Sequence, residues 1–254
     1  MLIHVYGCYG VNMETSFRLE DVYLLKSGWI IVYVHVRGGR ELGKNWHLMG
    51  MGPNKLNSML DLISSTNHLH HKLKYSSPSL TAATAHSAGG LVLVSSLLHP
   101  ECTNLCRNPA NEIIRAVVLQ APFLDPVSAL LASPLPSELA EWGDVVNKKD
   151  DLDLVLSYSP YELIRKHSLN TNLLILAGEQ DQRVPISQSI KFICRLKNRL
   201  HPAEHKRALL FVDFHSGHFN SFSSPTASED YDPYHQRVIR NTFLTNVIDS
   251  NEYA

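Results

Sequence analysis

The chain has 254 residues, of which 44% are hydrophobic and 19% are charged, so it is long enough for one large domain with a proper core. Its 23 Lys and Arg residues nearly balance its 24 Asp and Glu residues, and the formal net charge of -1 provides no overall field to attract nucleic acid or an anionic membrane. These values favour a neutral or small substrate and predict no nucleic-acid partner.

The cysteines and the apolar runs bear on where the protein works. The four cysteines, at positions 8, 102, 106 and 194, are few and irregularly spaced, which favours a reducing, cytoplasmic setting over secretion. Met1 leads directly into an apolar run without a basic region, and the longest apolar run, residues 29–36, is too short to span a bilayer. We therefore expect no targeting segment and no membrane span.

Strand and helix patterns alternate along the chain. Short apolar, β-branched runs predict strands at residues 2–6, 29–36, immediately before Ser87, 115–120, 172–177 and 208–214. Apolar residues at helical spacing predict helices at residues 53–74, after Ser87, 185–200 and 234–248. This alternation is typical of an α/β fold with a mostly parallel sheet and helices on both faces. Residues 125–167 are irregular, with Pro134, Pro136, Pro160 and a charged run at residues 148–151. We interpret them as an excursion over the active-site end of the sheet and not as a separate domain.

The turn at Ser87 has the pattern of a nucleophile elbow. A short strand ends there and a helix with Gly89 and Gly90 at its start follows, so small residues flank the serine where its backbone must bend sharply. Ala85 stands two residues before the serine, where the usual pattern has glycine. The bend would place Ser87 Oγ at the edge of the sheet, near the N–H groups of a helix N-terminus. An ordinary strand-to-helix turn with a capping serine is the alternative interpretation.

An acid and a base are expected in loops that follow later strands, in the order nucleophile, acid, histidine. Asp181 follows the strand predicted at 172–177, and His218 follows the strand predicted at 208–214. His218 would accept the Ser87 proton and return it to the leaving group. Asp181 would fix the imidazole tautomer and stabilise the imidazolium.

Other residues could fill or mimic these roles. Asp181 could instead pair with Arg183 in a surface turn. His215 competes with His218, but it directly follows the apolar residues of the strand, whereas His218 stands behind a flexible glycine. Two further carboxylates near strand ends are interpreted as structural: Asp125 and Asp213.

Two patterns that suggest metal ligands do not predict a metal site. The histidines at positions 68, 70 and 71 lie at a predicted helix end without a nearby carboxylate or cysteine in sequence, so we expect them to be solvated. Cys102 and Cys106 have no matching second pair for zinc and are expected to be ordinary thiols. We predict no metal and no cofactor.

With these segments in place, the chain resembles the prolyl oligopeptidase family of serine hydrolases over nearly its whole length. The runs that carry the resemblance are Tyr6-Gly-Cys-Tyr-Gly10, His35-Val-Arg-Gly-Gly-Arg-Glu-Leu-Gly43 with Trp46-His47, Ser87-Ala-Gly-Gly90, Ala121-Pro-Phe-Leu-Asp125, Glu141-Trp-Gly143, Tyr158-Ser-Pro-Tyr161, Asp181-Gln-Arg-Val184 and Ser216-Gly-His218. The resemblance implies an α/β-hydrolase fold and one catalytic domain, residues 1–254, that works through an acyl-enzyme on Ser87.

The resemblance also implies roles for residues outside the triad. Tyr6 corresponds to a family tyrosine whose hydroxyl donates one hydrogen bond to the oxyanion, and the backbone N–H of Ala88 is the second donor. Arg183 corresponds to an arginine that binds a substrate carbonyl in the proline-cleaving members. Glu138 and Trp142 belong to the stretch with which the family recognises its substrates, and they are candidate substrate-binding residues.

Departures in that stretch argue against the peptidase preferences of the family. Counting back from Trp142 without gaps, Glu138 stands where proline-cleaving members have a tryptophan that stacks on the substrate proline. Members that cleave after Lys or Arg read Glu-Phe-Glu-Glu-Trp-Gly here, and in this chain Ala140 replaces one of the paired carboxylates, which should weaken recognition of a cation. We expect an esterase or thioesterase, or a weak serine-type peptidase, acting on a small acyl or peptide substrate.

A further departure is length. Family members place a β-propeller and a pair of strands before this domain, and without them the strand at residues 29–36 is expected to be an exposed sheet edge. We interpret the chain as a truncated isoform or incomplete gene model of a larger enzyme. The competing hypothesis is a catalytically impaired interaction or trafficking module. The joint presence of the triad residues and Tyr6 favours the enzyme.

Overall fold

The computed structural model describes residues 1–106, 112–132, 135–218 and 235–249. Within these ranges six strands form one sheet: β1 Leu2–Val5, β2 Ile31–Val34, β3 Ala82–His86, β4 Ala116–Gln120, β5 Asn172–Gly178 and β6 Ala208–Asp213. The strands lie in the order β2-β1-β3-β4-β5-β6, and every neighbouring pair is parallel. The predicted parallel α/β sheet is therefore confirmed, and the ends of all the strands that carry site residues meet at one edge.

The described residues also form α-helices: α1 Leu19–Lys26, α2 Lys44–Leu48, α3 Leu56–Asn67, α4 Ala88–Leu98, α5 Pro100–Thr103, α6 Pro126–Ala132, α7 Pro136–Trp142, α8 Lys149–Tyr158, α9 Pro160–Leu163, α10 Ser187–Lys197 and α11 His235–Asp249. Short 3-10 turns lie at Gly52–Asn54, Pro78–Leu80 and Pro202–Arg207, and a π-helical turn at His68–Lys72 continues α3. None of the helices in the described ranges has both the length and the apolar character needed to cross a bilayer.

Alternate residues of the strands face two separate cores, because side chains point to opposite faces along a strand. In β5, Leu173 and Ile175 join the larger core, to which α3, α4 and α10 contribute. Leu174 and Leu176 join the smaller core on the opposite face, with α1 and α11. Strands that are buried on both faces are near-continuous apolar runs in sequence, which is why the pattern predicted them.

The described residues between 125 and 167 are not irregular, in contrast to the interpretation from their sequence, and Pro134 lies outside the described residues. Helices α6 to α9 occupy this region, and Pro126, Pro136 and Pro160 are the first residues of α6, α7 and α9. Proline is suited to that position because the first N–H groups of a helix have no intrahelical acceptor. Trp142 and Tyr158 attach these helices to the larger core, where both side chains are fully buried.

Helix α1 was not predicted, and the histidine cluster was predicted wrongly in part. His68 and His71 are exposed, but His70 is buried, and its Nε2 lies 2.7 Å from Thr81 Oγ1. In the part of the chain that the structure describes, no three His, Cys, Asp or Glu residues are grouped as metal ligands would be.

The four cysteines are all unpaired. Cys8 and Cys102 are buried, Cys106 is partly buried, and Cys194 is exposed on α10. Strand β2 forms one edge of the sheet, as expected from its place in the strand order, and Ile30 beside it is 41% exposed.

Candidate active site

Ser87 lies in the sharp turn between β3 and α4. Its backbone has φ 52° and ψ -126°, in the left-handed region that L-residues rarely adopt. The Ser87 N–H donates to Gln120 O at 2.9 Å, and the Ser87 carbonyl accepts from the N–H groups of Gly90 and Phe123, each at 2.9 Å. These hydrogen bonds hold the strained backbone against β4 and against the first turn of α4.

The two glycines after Ser87 are required by close packing. A Cβ on Gly89 would lie 2.9 Å from Val5 O and 3.0 Å from Tyr6 Cα, and a Cβ on Gly90 would lie 2.7 Å from Pro122 Cβ. The elbow therefore brings the start of α4 into direct contact with the end of β1. Ala85, on the other side of the turn, is 4% exposed, so the sheet accommodates its methyl group.

The structure brings together the three side chains that were predicted to form a triad. His218 Nε2 lies 2.9 Å from Ser87 Oγ, and His218 Nδ1 lies 2.7 Å from Asp181 Oδ2. With the Nδ1 proton donated to the carboxylate, Nε2 is free to accept the serine proton. His218 and Asp181 are 7% and 6% exposed, so their hydrogen bond is shielded from water.

Asp181 is oriented by its own turn. Asp181 Oδ1 accepts from the backbone N–H groups of Arg183 and Val184, at 2.9 Å and 2.8 Å. Burial opposes ionisation of the carboxyl, but the hydrogen bond from His218 and those from the two backbone N–H groups outweigh it and lower the pKa of Asp181. Asp181 is thus an ionised partner for the imidazole, and its contact with Arg183 is made to the main chain.

The residues considered as alternatives to Asp181 and His218 form hydrogen bonds outside the triad. His215 is exposed, and its N–H donates to Asp213 Oδ1 at 2.9 Å. Asp213 Oδ2 also accepts from Gln236 Nε2 at 2.9 Å. Asp125 caps the start of α6 through the Ser128 N–H and pairs with Lys191. These contacts fit the structural interpretation of both carboxylates.

Tyr6 and Ala88 lie on the two segments that meet at the elbow. Ala88 is the first residue of α4, where a backbone N–H has no intrahelical acceptor. Tyr6 follows the last residue of β1 and packs against Gly89. Burial is the main cause that raises the pKa of Tyr6 above its ordinary value, Cys8 adds to the effect and Arg183 opposes it. The Tyr6 hydroxyl is therefore a neutral hydrogen-bond donor at neutral pH.

The candidate substrate-binding residues are not equally accessible. Arg183 is exposed and stands two residues after Asp181, in the turn that orients the Asp181 carboxylate. Glu138 is partly exposed, and its Oε2 accepts from the Leu135 N–H at 2.8 Å, at the start of α7.

Trp142 requires a correction to its expected substrate-binding role. Its side chain is fully buried, and its Nε1 donates to the Tyr9 hydroxyl at 2.8 Å. The ring also packs against Phe123 and Tyr158, with centroids 5.8 Å and 6.4 Å away. Trp142 thus supports the loop after β1 from inside the core, and this position does not suit a substrate contact.

Sequence reasoning missed His86, the residue immediately before Ser87. Its Nε2 lies 3.1 Å from the backbone oxygen of His218, and the two imidazole rings have centroids 4.9 Å apart. Burial is the main cause that lowers the pKa of His86. His86 connects the sheet to the loop that carries His218, and a histidine directly beside the elbow serine was the available signal.

Sequence reasoning also missed a buried ion pair behind the loop after β1. Lys55 Nζ lies 2.7 Å from Glu141 Oε1, and the two side chains are 0% and 2% exposed. His47 Nε2 lies 2.9 Å from the other oxygen of the same carboxylate. Lys55 stands at the start of a helical pattern, where a lysine is ordinarily solvated, so its burial had no signal in the sequence.

A parallel sheet that presents a serine on a strained strand-to-helix turn, with a histidine and an aspartate from later loops, is characteristic of the α/β-hydrolase class. A sequence model described as the prolyl oligopeptidase family matches residues 15–238. The chain belongs to the prolyl oligopeptidase family.

Individual relatives agree with this assignment. The chain is 38% identical over 235 residues to a protein named "Prolyl endopeptidase-like" from Xenopus laevis, covering 88% of this chain and 32% of that protein. It is 40% identical over 210 residues to the protein of the same name from Homo sapiens, covering 82% of this chain and 27% of that protein. Oligopeptidase B from Leishmania major has a similar structure, with a TM-score of 0.83, 27% sequence identity, and coverage of 98% of this chain and 32% of that one. The chain spans about a third of the length of these relatives.

Proposed function

We propose that residues 1–254 act as one catalytic domain, a serine hydrolase with Ser87 as nucleophile, His218 as general base and Asp181 as the residue that orients His218. One observation carries this proposal. A hydrogen-bonded chain runs from Ser87 Oγ through both nitrogens of His218 to Asp181, with distances of 2.9 Å and 2.7 Å. Separations of this kind allow a proton to pass from the serine to the imidazole as the hydroxyl attacks.

The reaction has two halves. Ser87 Oγ attacks the acyl carbon while its proton moves to His218 Nε2, and the carbonyl oxygen becomes an oxyanion that accepts from the Tyr6 hydroxyl and the Ala88 N–H. The carbon–heteroatom bond then breaks, and the leaving group departs with the proton from Nε2. Water attacks the remaining ester on Ser87 as His218 removes its proton. The release of the carboxylic acid restores the serine.

We propose an ester or thioester as the substrate class. The Glu138 carboxylate is engaged at the start of its own helix, and Ala140 beside it carries no charge, so the stretch offers no free pair of carboxylates to a cationic side chain. The burial of Trp142 removes a ring that could stack on proline. An ester or thioester depends less on a pocket that recognises a particular side chain, because its leaving group departs readily. Arg183, exposed two residues after Asp181, is the proposed partner for a substrate carbonyl.

The proposal concerns the domain that this chain contains. Peptidase activity in the printed name of oligopeptidase B belongs to that protein, and this chain spans about a third of its length. The cytoplasmic location expected from the cysteines stays a prediction.

A fluorophosphonate probe tests whether Ser87 is an activated nucleophile. We expect the folded protein to be labelled once per chain and the Ser87→Ala variant to remain unlabelled. Ser64→Ala, which removes an exposed serine on α3, is the matched control and should be labelled at the original rate. A folded protein that never reacts with the probe would refute the enzyme and favour the impaired interaction module.

Substrate comparison tests the proposed class. We expect kcat/KM for a short acyl thioester to exceed by far the values for otherwise similar peptides cleaved after proline or after arginine. Efficient cleavage of either peptide would reject the ester and thioester assignment and leave the nucleophile assignment intact.

A further inference from the structure

Lys55 is a cation with no solvent exposure that lies directly behind the loop after β1. Its Nζ donates to Glu141 Oε1 at 2.7 Å and to Gly7 O at 3.2 Å, and it lies 3.6 Å from Cys8 Sγ. The ammonium also lies 4.8 Å from the centroid of the Trp142 ring. We propose that the buried Lys55–Glu141 pair positions the Tyr6 hydroxyl and the Ala88 N–H for the oxyanion. The inference rests on the function proposed above.

The contact with Tyr6 passes through the next peptide. Gly7 has φ 70°, which glycine adopts readily, and its carbonyl turns towards Lys55 Nζ. The same carbonyl packs so closely on Gly38 that a Cβ there would lie 2.1 Å away. The peptide that follows Tyr6 is therefore fixed from two sides, and with it the direction in which the tyrosine ring leaves the backbone.

The contact with Ala88 passes through Cys8. Burial raises the pKa of the Cys8 thiol to about 12, so the thiol keeps its proton and donates to Ala88 O at 3.7 Å. Lys55 thus contacts the residue after Tyr6 and the residue that holds the first turn of α4. The ammonium contacts Gly7, the sequence neighbour of Tyr6, and Cys8, whose thiol contacts Ala88.

His47 extends the same network to the other end of the loop. Its Nε2 lies 2.9 Å from Glu141 Oε2, and its ring packs against Gly10, where a Cβ would lie 3.0 Å from His47 Nδ1. Residues 6–10 therefore lie between Lys55 at one end and His47 at the other, with Glu141 connecting the two. A carboxylate with hydrogen bonds to both oxygens has a single orientation.

A buried ion pair is a poor source of stability, because desolvation of the two charges offsets most of their attraction. Apolar side chains of similar size would fill the same space at comparable stability. What an ion pair with fixed hydrogen bonds adds is direction, and the direction of an oxyanion donor decides how much it contributes to the rate.

The test measures turnover of a small ester or thioester. We expect Lys55→Met to lower kcat by up to about 100-fold with little change in KM, because misplacement by about 1 Å is enough for such a loss. The Lys55→Met/Glu141→Gln variant leaves no unpaired charge in the core and should show the same kcat. In a Tyr6→Phe background, Lys55→Met should lower kcat by a smaller factor than in the original background, because one of the two donors that it positions is already absent.

Arg240→Met is the matched control. Arg240 and Asp21 form a buried ion pair on the opposite side of the sheet, with Nη2 2.9 Å from Oδ1 and side chains 4% and 5% exposed. Its removal should lower the unfolding temperature and leave kcat unchanged. Equal losses of kcat for Lys55→Met in the original and the Tyr6→Phe backgrounds would overturn the proposal. A double variant that fails to fold would assign the pair to stability alone and overturn it as well.

A readout without turnover separates this inference from the proposed function. In protein labelled with ¹³C at the tyrosine ζ carbon, the Tyr6 resonance should shift in Lys55→Met and stay in place in Arg240→Met. An unmoved Tyr6 resonance would overturn the positioning role even in an active enzyme. Failure of the fluorophosphonate test with a shifted resonance would refute the proposed chemistry alone.

Discussion

Ser87 combines the proposed chemistry with a strained backbone. A residue with a Cβ at φ 52° and ψ -126° is disfavoured by about 1–3 kcal/mol, and the hydrogen bonds around the elbow hold it there. Glycine adopts such a conformation without that strain. Ser87→Ala and Ser87→Gly both remove the hydroxyl, so the two variants differ chiefly in how easily the backbone adopts this conformation.

We therefore expect Ser87→Gly to be more stable than Ser87→Ala by about 1 kcal/mol, although glycine loses more entropy on folding. Denaturant unfolding of the two inactive variants measures the difference. Equal stabilities would mean that the surrounding hydrogen bonds, and not the side chain, determine this conformation.

Asp181→Asn should lower kcat by roughly 10⁴-fold with little change in structure. An asparagine amide can donate to His218 Nδ1 and favours the tautomer in which Nε2 carries the proton, so Nε2 no longer accepts from Ser87. Steady-state kinetics with one ester substrate measures the loss. Asp213→Asn removes the carboxylate at the end of β6 and should keep most of the activity, and a larger loss there would identify a different acid.

At the scale of single residues, the sequence located side chains whose roles depend on strand order, and it could not locate those that depend on burial. Asp181 and His218 follow strands, and parallel strands bring their carboxyl ends together, so the convergence could be predicted. Lys55 and Trp142 differ from solvated or substrate-contacting residues only in what surrounds them. That depends on how α7 packs on the loop after β1.

At the scale of elements, prolines produced the main error. Pro136 and Pro160 suggested irregular backbone, but each begins a helix, where its fixed φ and missing N–H are compatible with helical geometry. The charged run from Lys148 to Asp151 lies at the start of α8. Asp150 and Asp151 are in its first turn, where negative charges interact favourably with the helix dipole.

The π-helical turn after α3 contains a buried histidine that makes folding sensitive to acid. Burial is the main cause that lowers the pKa of His70 to about 4, with contributions from His71 and from the N-terminal amine. The unfolded chain takes up this proton at the ordinary pKa of about 6.5. The stability contributed by neutral His70 is therefore complete above about pH 6.5 and is lost progressively as the pH falls towards 4.

We expect His70→Gln to reduce the loss of stability between pH 7.5 and pH 5 by about 1–2 kcal/mol. Chemical denaturation at the two pH values measures the free energy of unfolding of each variant, and the difference gives the loss. His71→Gln, an exposed neighbour in the same turn, is the control and should leave the pH dependence close to that of the original protein. The same pH dependence in both variants would show that His70 does not carry the effect.

At the scale of the whole molecule, the sheet has an open edge at β2. Among the described residues β2 is the last strand on its side, and Ile30 beside it is 41% exposed. Such an edge is a template for pairing with another chain. Sedimentation velocity over a range of concentrations should show self-association of the isolated chain.

Ile30→Lys should suppress this association, because a lysine at a strand edge opposes pairing. Leu42→Lys replaces an apolar side chain that is 71% exposed in the loop after β2 and serves as the control for charge alone. An equal effect of the two substitutions would attribute the association to general apolar surface, and a concentration-independent monomer would contradict it altogether.

The cysteine distribution has a practical consequence for these experiments. Of the four sulfhydryls, Cys194 is the exposed one, on the helix that follows the turn of Asp181, and Cys106 is partly buried. A maleimide dye should therefore react first at Cys194, and Cys106→Ser would remove the second, partly buried position. The fluorescence of the dye would report in real time on the movement of α10, and hence of the neighbouring carboxylate, while substrate is bound and released.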